Sequence, residues 1–553
     1  MNARSYIEQM SIGLRPAVEH SGSAWTEMVP MRDGVKLKTL FYMPSTPGPW
    51  NVLVSRSPYL KNQEIYDYQG KIFSERGYGF ICQYCRGTAG SEGEWTPFEN
   101  EQQDGEDFLK WLEQQSYIKS IALYGYSYVA YTQWVLLDRL TPKVKTAYIV
   151  HFGTDRYHQM YSNGLFRHDI YTPWAKDNCS LMSPLPYEKA YEAGLYKPHL
   201  EADEAVWGIK LPWYREWISH TDYDAFWKES FWENLKSIPS KINIPIYLGC
   251  GWYDHHFDGM MRGYSTLSDF AKQHSKLLIG PWVHMKQPCI ESSDTKDAYL
   301  TGLHGYEGAL KWMDKIFLTS DLPSQEIYAY EINEGWKELS AWPGNTKHHV
   351  LYFHDNTLSS TPGQEQCLSY TYDPHDYIDT IGAECMCYAP LKKRGSVLQT
   401  IAEGSNRLYL FSDPFVYPFV IKGTIHIHLR VSTDVCDTAF IVKLMEVEED
   451  GKAYNLRTCA TTLRYRNDSS TPIPYQPSEI VDCEMNMWDI FWKLKKGSRL
   501  CLEITSSSFP EYNIHCNTET PWAMQKEMKI AHQKIWTGGV TGSYIDLPIE
   551  CEK

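Results

Sequence analysis

The stretch from Leu123 to Trp134, LYGYSYVAYTQW, places a serine between a predicted strand and a predicted helix. The apolar residues before this serine, Ser127, are typical of a buried strand, and those after it recur with helical spacing. A serine in the turn between them is the arrangement of a nucleophile elbow, in which the backbone N–H of Tyr128 can face an oxyanion. Val129 stands where such motifs usually have their second glycine, so an ordinary helix-capping serine is the alternative.

Two predicted strands farther along the chain run directly into an aspartate and a histidine. The strand at 244–250 is followed by GWYD, which ends at Asp254, and the strand at 276–279 by GPWVH, which ends at His284. The carboxyl ends of parallel strands meet at one edge of a sheet, and the chain order Ser, Asp, His is the order that α/β-hydrolases require. We predict that His284 is the general base toward Ser127 and that Asp254 orients its imidazole.

A tyrosine is predicted to complete the group that stabilises a tetrahedral oxyanion. The short strand at 52–54 leads into RSPY, and the proline there ends the strand, so Tyr59 lies in a loop at the same edge of the sheet. We predict that the Tyr59 hydroxyl and the Tyr128 backbone N–H are the two oxyanion donors.

The order of predicted elements indicates an α/β core with an insertion. Strands alternate with helices over the first 150 residues, which predicts a parallel sheet. Residues 151–237 are rich in tyrosine, tryptophan and histidine and have few β-branched runs, which predicts a helical cap over the sheet edge.

Beyond residue 322 the hydrophobic period becomes mostly two, which predicts a β-sandwich. The alternating stretches are 350–354, 407–411, 424–432, 438–447, 461–465 and 499–506. Such domains often bind carbohydrate, but the fold alone does not assign that function.

Composition excludes several classes of partner. The chain has 553 residues, 14 cysteines and a formal net charge of -15. An acidic chain has no electrostatic attraction to nucleic acid or to an anionic membrane, and no stretch approaches the roughly 20 apolar residues that cross a bilayer. The first residues lack the pattern of a secretory signal, and the scattered cysteines suit a reducing compartment. We expect a cytoplasmic protein that binds neither nucleic acid nor membranes.

Short segments along nearly the whole chain resemble the cocaine esterase and X-prolyl dipeptidyl peptidase family of α/β-hydrolases. They are, in order, MRDGVKL, RSPYLK, CRGTAGSEGEW, NEQQDGEDFLKWL, GYSY, GWYD, GPWVH, LKWMD, YDP, DTAF and SSSFP. By position, the resemblance implies that the nucleophile is Ser127, the acid Asp254 and the base His284. It also assigns the oxyanion donors to Tyr59 and the Tyr128 amide.

The resemblance also implies the architecture of the whole chain. The predicted fold class is an α/β-hydrolase core with a mostly parallel sheet, an inserted helical cap and a C-terminal β-sandwich of the jelly-roll type. The predicted division is core at 1–148, cap at 149–237, core again at 238–320 and jelly-roll at 321–553.

Two departures from the family pattern affect the prediction. Ala130 stands where the family commonly has a glycine, but alanine is the smallest replacement and still permits close helix packing. After Asp254 the chain reads His255-His256-Phe257, where the α-amino-acid ester hydrolase branch has acidic residues that hold a substrate ammonium. The second departure weakens the case for α-amino substrates.

His255 and His256 are predicted to line the substrate pocket, with a structural loop role as the alternative. No metal is expected, because adjacent histidines supply at most two ligands and no HExxH sequence occurs, and no other cofactor is expected. In the family, a loop corresponding to 380–388 helps to shape the pocket. Met386 in this loop is therefore a further candidate for contact with substrate, with surface packing as the alternative.

The predicted function is that of a serine hydrolase, of carboxylesterase or acylase type, which cleaves a small-molecule ester or amide through an acyl-enzyme. X-Pro dipeptidyl-peptidase or α-amino-acid ester hydrolase activity is the enzymatic alternative. A glycan-binding protein with a silent hydrolase scaffold is the non-catalytic alternative. The substrate and the oligomeric state are left open, a homodimer being one candidate.

Overall fold

The computed structural model describes residues 3–179, 185–186, 188–284, 289–293, 295, 297–299, 303–384, 393–402 and 404–551. Within these residues the chain folds around two large sheets, one of ten strands and one of twelve. The first sheet carries the candidate site, and the second forms the C-terminal part of the molecule.

The first sheet begins with an antiparallel hairpin and continues with parallel strands. Its first strands are β1 (Ser21–Pro30), β2 (Lys36–Pro44), β3 (Trp50–Ser57), β4 (Gly79–Tyr84), β5 (Ile118–Tyr126) and β6 (Val144–Val150). The helices of this part are α1 (Ala3–Met10), α2 (Gln63–Ser74), α3 (Glu101–Glu113) and α4 (Tyr128–Trp134). β3 pairs in parallel with β4 and β5, and β5 with β6, as the alternation of strands and helices predicts.

The segment after β6 is mostly helical, as predicted for the cap. Its helices are α5 (Arg156–Met160), α6 (His168–Asp177), α7 (Glu188–Leu195), α8 (Ala202–Trp207), α9 (Pro212–Ser219), α10 (Ala225–Lys228) and α11 (Phe231–Ser237). The short strands β7 (Tyr161–Ser162) and β8 (Leu165–Phe166) separate the first two helices. Trp217, Trp227 and Trp232 are buried, so large aromatic side chains hold these short helices together.

The first sheet resumes after the cap. Its remaining strands are β9 (Ile246–Tyr253), β10 (Lys276–Val283), β11 (Glu326–Glu331) and β12 (Gly335–Leu339), with helices α12 (Phe257–Ser265), α13 (Asp269–His274) and α14 (Gly305–Phe317). The strand order is β1-β2-β4-β3-β5-β6-β9-β10-β11-β12. None of the described helices combines the length and the apolar character needed to cross a lipid bilayer.

β11 and β12 lie just past the predicted division at 320/321. β11 pairs in parallel with β10, and β12 pairs antiparallel with β11, so residues 326–339 extend the first sheet. A hydrophobic period of two identifies a strand but not the sheet that it joins. The change of period near residue 322 therefore precedes two strands that still belong to the first sheet.

The C-terminal part is an almost entirely antiparallel β structure. Its strands are β13 (Thr346–His354), β14 (Thr357–Ser359), β15 (Gln366–Tyr372), β16 (Leu398–Gln399), β17 (Arg407–Ser412), β18 (Val420–Thr433), β19 (Ala439–Val447), β20 (Ala453–Thr462), β21 (Val481–Lys493), β22 (Arg499–Thr505), β23 (Ala531–Thr537) and β24 (Tyr544–Glu550). The pairing of β14 with β17 is parallel. The predicted fold class, an α/β core with a mostly parallel sheet and a C-terminal β domain, is confirmed.

The predicted strand at 461–465 is wrong beyond Thr462. β20 ends at Thr462, and residues 464–468 form turns. Leu463 and Tyr465 are nevertheless both buried, so the alternation of apolar residues reflects contacts of a turn with its surroundings rather than a pleated strand.

Candidate active site

Ser127 lies in a tight turn between β5 and α4. Its backbone has φ 57° and ψ -130°, a conformation that costs a non-glycine residue about 1–3 kcal/mol. Gly125 is required in this turn, because a Cβ at that position would lie 2.2 Å from the Val129 carbonyl oxygen. The Ser127 backbone N–H donates to the Val150 carbonyl oxygen at 3.0 Å, which ties the turn to β6. The strained serine is presented at the carboxyl edge of the sheet, as in a nucleophile elbow.

His284 directly follows β10 and connects Ser127 with Asp254. Its Nε2 lies 3.0 Å from Ser127 Oγ, and its Nδ1 lies 2.9 Å from Asp254 Oδ2. An imidazole that donates from Nδ1 to a carboxylate presents the lone pair of Nε2 to the serine hydroxyl. The structure therefore brings together the three residues that the sequence places 157 and 30 positions apart.

Asp254 directly follows β9 and is completely buried. Its Oδ2 accepts hydrogen bonds from His284 and from His151, and its Oδ1 accepts the His256 backbone N–H at 2.7 Å. Burial by itself raises the pKa of this carboxyl, but the interactions with His284 and His151 outweigh burial and hold the pKa well below its ordinary value. Asp254 is therefore ionised near neutral pH and can fix the orientation of the imidazole.

His151 belongs to this network, although the sequence reasoning assigned it only to the start of the cap. It directly follows β6, its backbone has φ 60°, and its Nδ1 is hydrogen-bonded to Asp254 Oδ2. The signal that identified His284 was also present here, because a buried strand runs directly into a histidine.

Tyr59 lies two residues past the end of β3. Its hydroxyl oxygen accepts the indole N–H of Trp174 at 3.3 Å, which leaves the hydroxyl proton available to another acceptor. Burial raises the pKa of Tyr59 above its ordinary value, so the hydroxyl remains protonated. The Tyr128 backbone N–H is at the first position of α4, where a helix offers no acceptor of its own.

Ser127, His284, Tyr59 and Tyr128 line one cavity of about 300 Å³. The ends of the sheet strands form one wall, and we call it the sheet wall. Cap residues, among them Tyr171 and Trp174, form the opposite wall, and we call it the cap wall. A cavity of this size suits a small organic molecule, since ligand sites begin at about 300 Å³.

His255 and His256 both line this cavity. The ring centroids of His255 and His284 are 4.4 Å apart, and His256 Nδ1 donates to Gln159 Oε1 at 3.3 Å. Burial lowers the pKa values of His255 and His256 well below the ordinary value of a histidine, so both side chains are neutral near pH 7.

In the described part of the chain, three histidines have side-chain nitrogens close enough together to bind one metal ion. Nitrogens of His255, His256 and His284 lie within 4.8 Å of one another, and three imidazoles are a known zinc ligand set. Ligation through His284 would use a nitrogen that faces Ser127 or Asp254. The sequence-based expectation that no metal binds stays a prediction.

Met386 lies outside the described residues, so its predicted contact with substrate stays a prediction. The described part of the same loop ends at Glu384, whose carboxylate is paired with Arg457 of β20. Arg457 Nη1 also donates to the Trp252 carbonyl oxygen at 2.6 Å. This buried pair links the C-terminal β structure to the strand that ends beside Asp254.

Arg156 is a buried charged residue of the cavity that the sequence reasoning did not identify. Its guanidinium carbon lies 4.3 Å from the ring centroid of Tyr171 and 4.8 Å from that of Phe98. The rings of Trp217 and Trp232 lie at 5.6 Å each. No local motif predicts this cluster, because its members come from five separate segments of the chain.

The fold, with a serine turn after β5, an aspartate after β9 and a histidine after β10, defines an α/β-hydrolase. Residues 33–286 match the family model described as X-Pro dipeptidyl-peptidase (S15 family), and residues 319–545 match that of the X-Pro dipeptidyl-peptidase C-terminal non-catalytic domain. The chain is 26% identical to cocaine esterase from Rhodococcus sp. (strain MB1 Bresler), over 94% of this chain and 97% of the relative.

Two solved structures share the fold over almost their whole length. An aminopeptidase from the marine sediment archaeon Thaumarchaeota archaeon has a TM-score of 0.82 at 20% identity, covering 96% of this chain and 97% of that one. An α-amino acid ester hydrolase has a TM-score of 0.80 at 21% identity, covering 97% and 98%. At these identities the two likenesses show the fold alone.

The chain belongs to the family of α/β-hydrolases that includes cocaine esterase and the X-Pro dipeptidyl-peptidases, as the sequence resemblance predicts. It is a hydrolase of the S15 peptidase and esterase family.

Proposed function

We propose that this protein is a serine hydrolase that cleaves the ester or acyl-amide bond of a small-molecule substrate through an acyl-enzyme. The observation that carries this proposal is the pair of contacts made by His284, 3.0 Å to Ser127 Oγ and 2.9 Å to Asp254 Oδ2. Both distances lie within hydrogen-bonding range, so a proton can pass from the serine to the imidazole as the serine attacks.

In the first half of the reaction, Ser127 Oγ attacks the substrate carbonyl carbon while His284 Nε2 takes the serine proton. The imidazolium that forms is stabilised by the Asp254 carboxylate, which stays ionised. His284 then gives this proton to the leaving alcohol or amine, and the acyl group remains on Ser127. In the second half, water attacks the acyl carbon while His284 Nε2 takes a proton from it. The bond between the acyl carbon and Ser127 Oγ then breaks, the imidazolium returns the proton to Oγ, and the carboxylic acid leaves.

The negative charge on the tetrahedral oxygen needs donors that are already in position. The Tyr128 backbone N–H supplies one, and the Tyr59 hydroxyl supplies the other in this proposal. The hydrogen bond from Trp174 to the Tyr59 oxygen supports that role, because it orients the hydroxyl without using its proton. Such a donor typically contributes about 3 kcal/mol to stabilising the transition state.

X-Pro dipeptidyl-peptidase activity is the second candidate, because the family model matching residues 33–286 carries that description. A peptidase of this type must hold the free N-terminal ammonium of its substrate, and a partly buried ammonium needs an anionic partner. The described lining of the cavity offers one carboxylate, Asp177, which lies 3.0 Å from Lys176 Nζ and is one-third exposed. This charge distribution favours the ester or acyl-amide substrate.

We also propose a revised division of the chain. The cap lies between β6 and β9, close to the predicted range of 149–237, and the core continues through β12 rather than ending at residue 320. The pairing of β11 and β12 with the first sheet supports this boundary. The C-terminal domain, of the jelly-roll type in this proposal, then begins between β12 and β13.

A substrate panel tests the proposed function. Purified protein and the Ser127→Ala variant are compared on 4-nitrophenyl acyl esters, aminoacyl amides and Xaa-Pro 4-nitroanilides. We expect turnover of acyl esters by the wild type and its loss in Ser127→Ala. Turnover of the Xaa-Pro anilides alone would favour the peptidase. The absence of turnover on the whole panel, by protein that unfolds cooperatively, would favour the non-catalytic alternative.

A further inference from the structure

Arg156 is a buried cation that faces the same cavity as Ser127 but has no acidic partner in the described part of the chain. It is 3% exposed. Its Nη1 donates to the Tyr171 hydroxyl at 3.2 Å, and its Nε is buried with no acceptor. A guanidinium has five N–H donors, so most of its capacity is not used by the described protein atoms.

This arrangement differs from the other buried arginines near the site. Arg167 is paired with Asp169, and Arg457 with Glu384. Removing a charge from water costs several kcal/mol unless an opposite charge compensates, and aromatic faces compensate only in part. Burial lowers the pKa of Arg156, although a guanidinium stays protonated in proteins. Arg156 therefore carries a positive charge that the described protein residues do not balance.

The surroundings of Arg156 leave it as the dominant charge deep in the cavity. His255 and His256 are neutral near pH 7, and Asp254 is already engaged by two histidines. Asp177, the carboxylate of the cavity lining, is partly exposed and is paired with Lys176. Lys61 is the other cation of the described lining, but its side chain is exposed. An anionic group on the substrate would therefore meet a strong attraction deep in the cavity and little repulsion.

We propose that Arg156 binds a carboxylate of the substrate, so that the preferred substrates are small esters or amides carrying a carboxylate in the acyl chain or in the leaving group. This inference rests on the proposed function, because it takes Ser127 as the reacting atom. A planar guanidinium matches the geometry of a carboxylate, and the aromatic rings around it keep water away from the ion pair.

Two pairs of substrates, each matched in size, test the inference. For the acyl side the pair is 4-nitrophenyl hemisuccinate and its neutral succinamate. For the leaving-group side it is 4-acetoxybenzoate and 4-acetoxybenzamide. Each pair is measured with the wild type, with Arg156→Met, which removes the charge, and with Arg156→Lys, which keeps the charge but loses the planar fork. Because the wild type and each variant are compared on the same substrates, differences in the intrinsic reactivity of those substrates cancel.

We expect the ratio of kcat/KM for the charged substrate to that for its neutral partner to fall by at least about 30-fold in Arg156→Met, for one of the two pairs. The same ratio for Arg156→Lys should lie between those of the wild type and Arg156→Met. The pair that responds identifies the side of the scissile bond that carries the carboxylate. An unchanged ratio in both pairs would overturn the inference.

A measurement on the wild type keeps the test valid if Arg156→Met fails to fold. Succinate or 4-hydroxybenzoate should inhibit hydrolysis of a neutral ester competitively, at concentrations at least about tenfold lower than succinamide or 4-hydroxybenzamide. Equal inhibition by acid and amide in both series would overturn the inference. Ser127→Ala separates the two proposals: if it abolishes hydrolysis of the neutral esters, the proposed function stands whatever the result at Arg156.

Discussion

The two walls of the cavity are built in different ways. On the sheet wall, Ser127 and His284 each directly follow a strand, as does Asp254, which is buried behind this wall. The three strands lie close together, within the order β5-β6-β9-β10. On the cap wall, Arg156 and Trp174 come from separate short helices and are positioned by contacts between aromatic rings. Backbone pairing therefore positions the sheet wall, whereas side-chain packing positions the cap wall.

This difference separates reactivity from selectivity. A change on the sheet wall should lower the rate for every substrate, because all substrates use the same nucleophile and base. A change on the cap wall should alter the choice among substrates, as the Arg156 experiments test.

Replacing His284 should have the largest effect. His284→Ala removes the base and should lower kcat/KM by about 10⁴-fold or more for every ester that the wild type hydrolyses. Initial rates on a series of 4-nitrophenyl esters measure the effect. His255→Ala is the matched control, because its ring lies 4.4 Å from that of His284 but contacts neither Ser127 Oγ nor the hydroxyl of Tyr59 in the described hydrogen bonds. Equal losses in both variants would contradict the assignment of His284 as the base.

Breaking the ion pair behind the sheet wall should reduce stability. Arg457→Met leaves the Glu384 carboxylate buried without its partner and removes the hydrogen bond to the Trp252 carbonyl. We expect a loss of about 3–5 kcal/mol in the apparent free energy of unfolding, measured by chemical denaturation. The double variant Arg457→Met/Glu384→Gln should recover part of this loss. A single variant as stable as the wild type would show that the pair does not support the wall.

Removing the Tyr59 hydroxyl should lower kcat with little change in KM. Tyr59→Phe loses one oxyanion donor, which typically costs about 10²- to 10³-fold, or about 3 kcal/mol. Tyr131→Phe is a matched control, since its hydroxyl donates to the Phe98 carbonyl oxygen at 2.6 Å and lies outside the described cavity lining. A loss below about fivefold in Tyr59→Phe would assign the second donor to another group.

The attachment of the cap should depend on pH through His158. Its Nδ1 lies 2.8 Å from Asp155 Oδ2, and its Nε2 lies 3.6 Å from Asp468 Oδ1 in the C-terminal domain. Burial lowers the pKa of His158, but the two carboxylates outweigh burial and raise it to about 9. Because the folded pKa exceeds the ordinary value of about 6.5, the stabilisation is complete below that value and is lost as the pH rises through about 9.

The measurement for His158 is thermal unfolding at two pH values. His158→Gln should destabilise the protein by about 1 kcal/mol at pH 6, after allowance for solvent screening, and by less at pH 10. The stability of Asp468→Asn should depend less on pH than that of the wild type, because this variant also removes a charge interaction of His158. A loss of the same size at both pH values would mean that packing, rather than charge, explains the contribution of His158.

The sheet wall could be predicted from the sequence because its signals are local. Ser127 is surrounded by a strand, a glycine turn and a helix within twelve residues, and Asp254 and His284 each follow an apolar run. The topology of a parallel sheet then brings such residues to one edge. His151 carries the same signal, but it is also the first residue of the aromatic-rich segment 151–237, so composition assigned it to the cap.

The cap wall could not be predicted in the same way. The ring system around Arg156 combines Phe98, Tyr171, Trp217 and Trp232, and no periodicity in the sequence relates these positions. The membership of β11 in the first sheet could not be predicted for a related reason, because the pairing of β11 with β10 is a long-range contact. Local patterns identified strands and turns, but the partners of these elements were decided by tertiary packing.

Labelling with a fluorophosphonate probe tests whether Ser127 is an activated nucleophile, because such a probe reacts only with a serine that a neighbouring base activates. The probe is added to wild-type protein, and the modified peptide is identified by mass spectrometry. We predict one equivalent of label on Ser127, none in Ser127→Ala and strongly slowed labelling in His284→Ala. Label on another residue, or folded wild-type protein that stays unlabelled, would contradict the assignment of Ser127, His284 and Asp254 as the catalytic group.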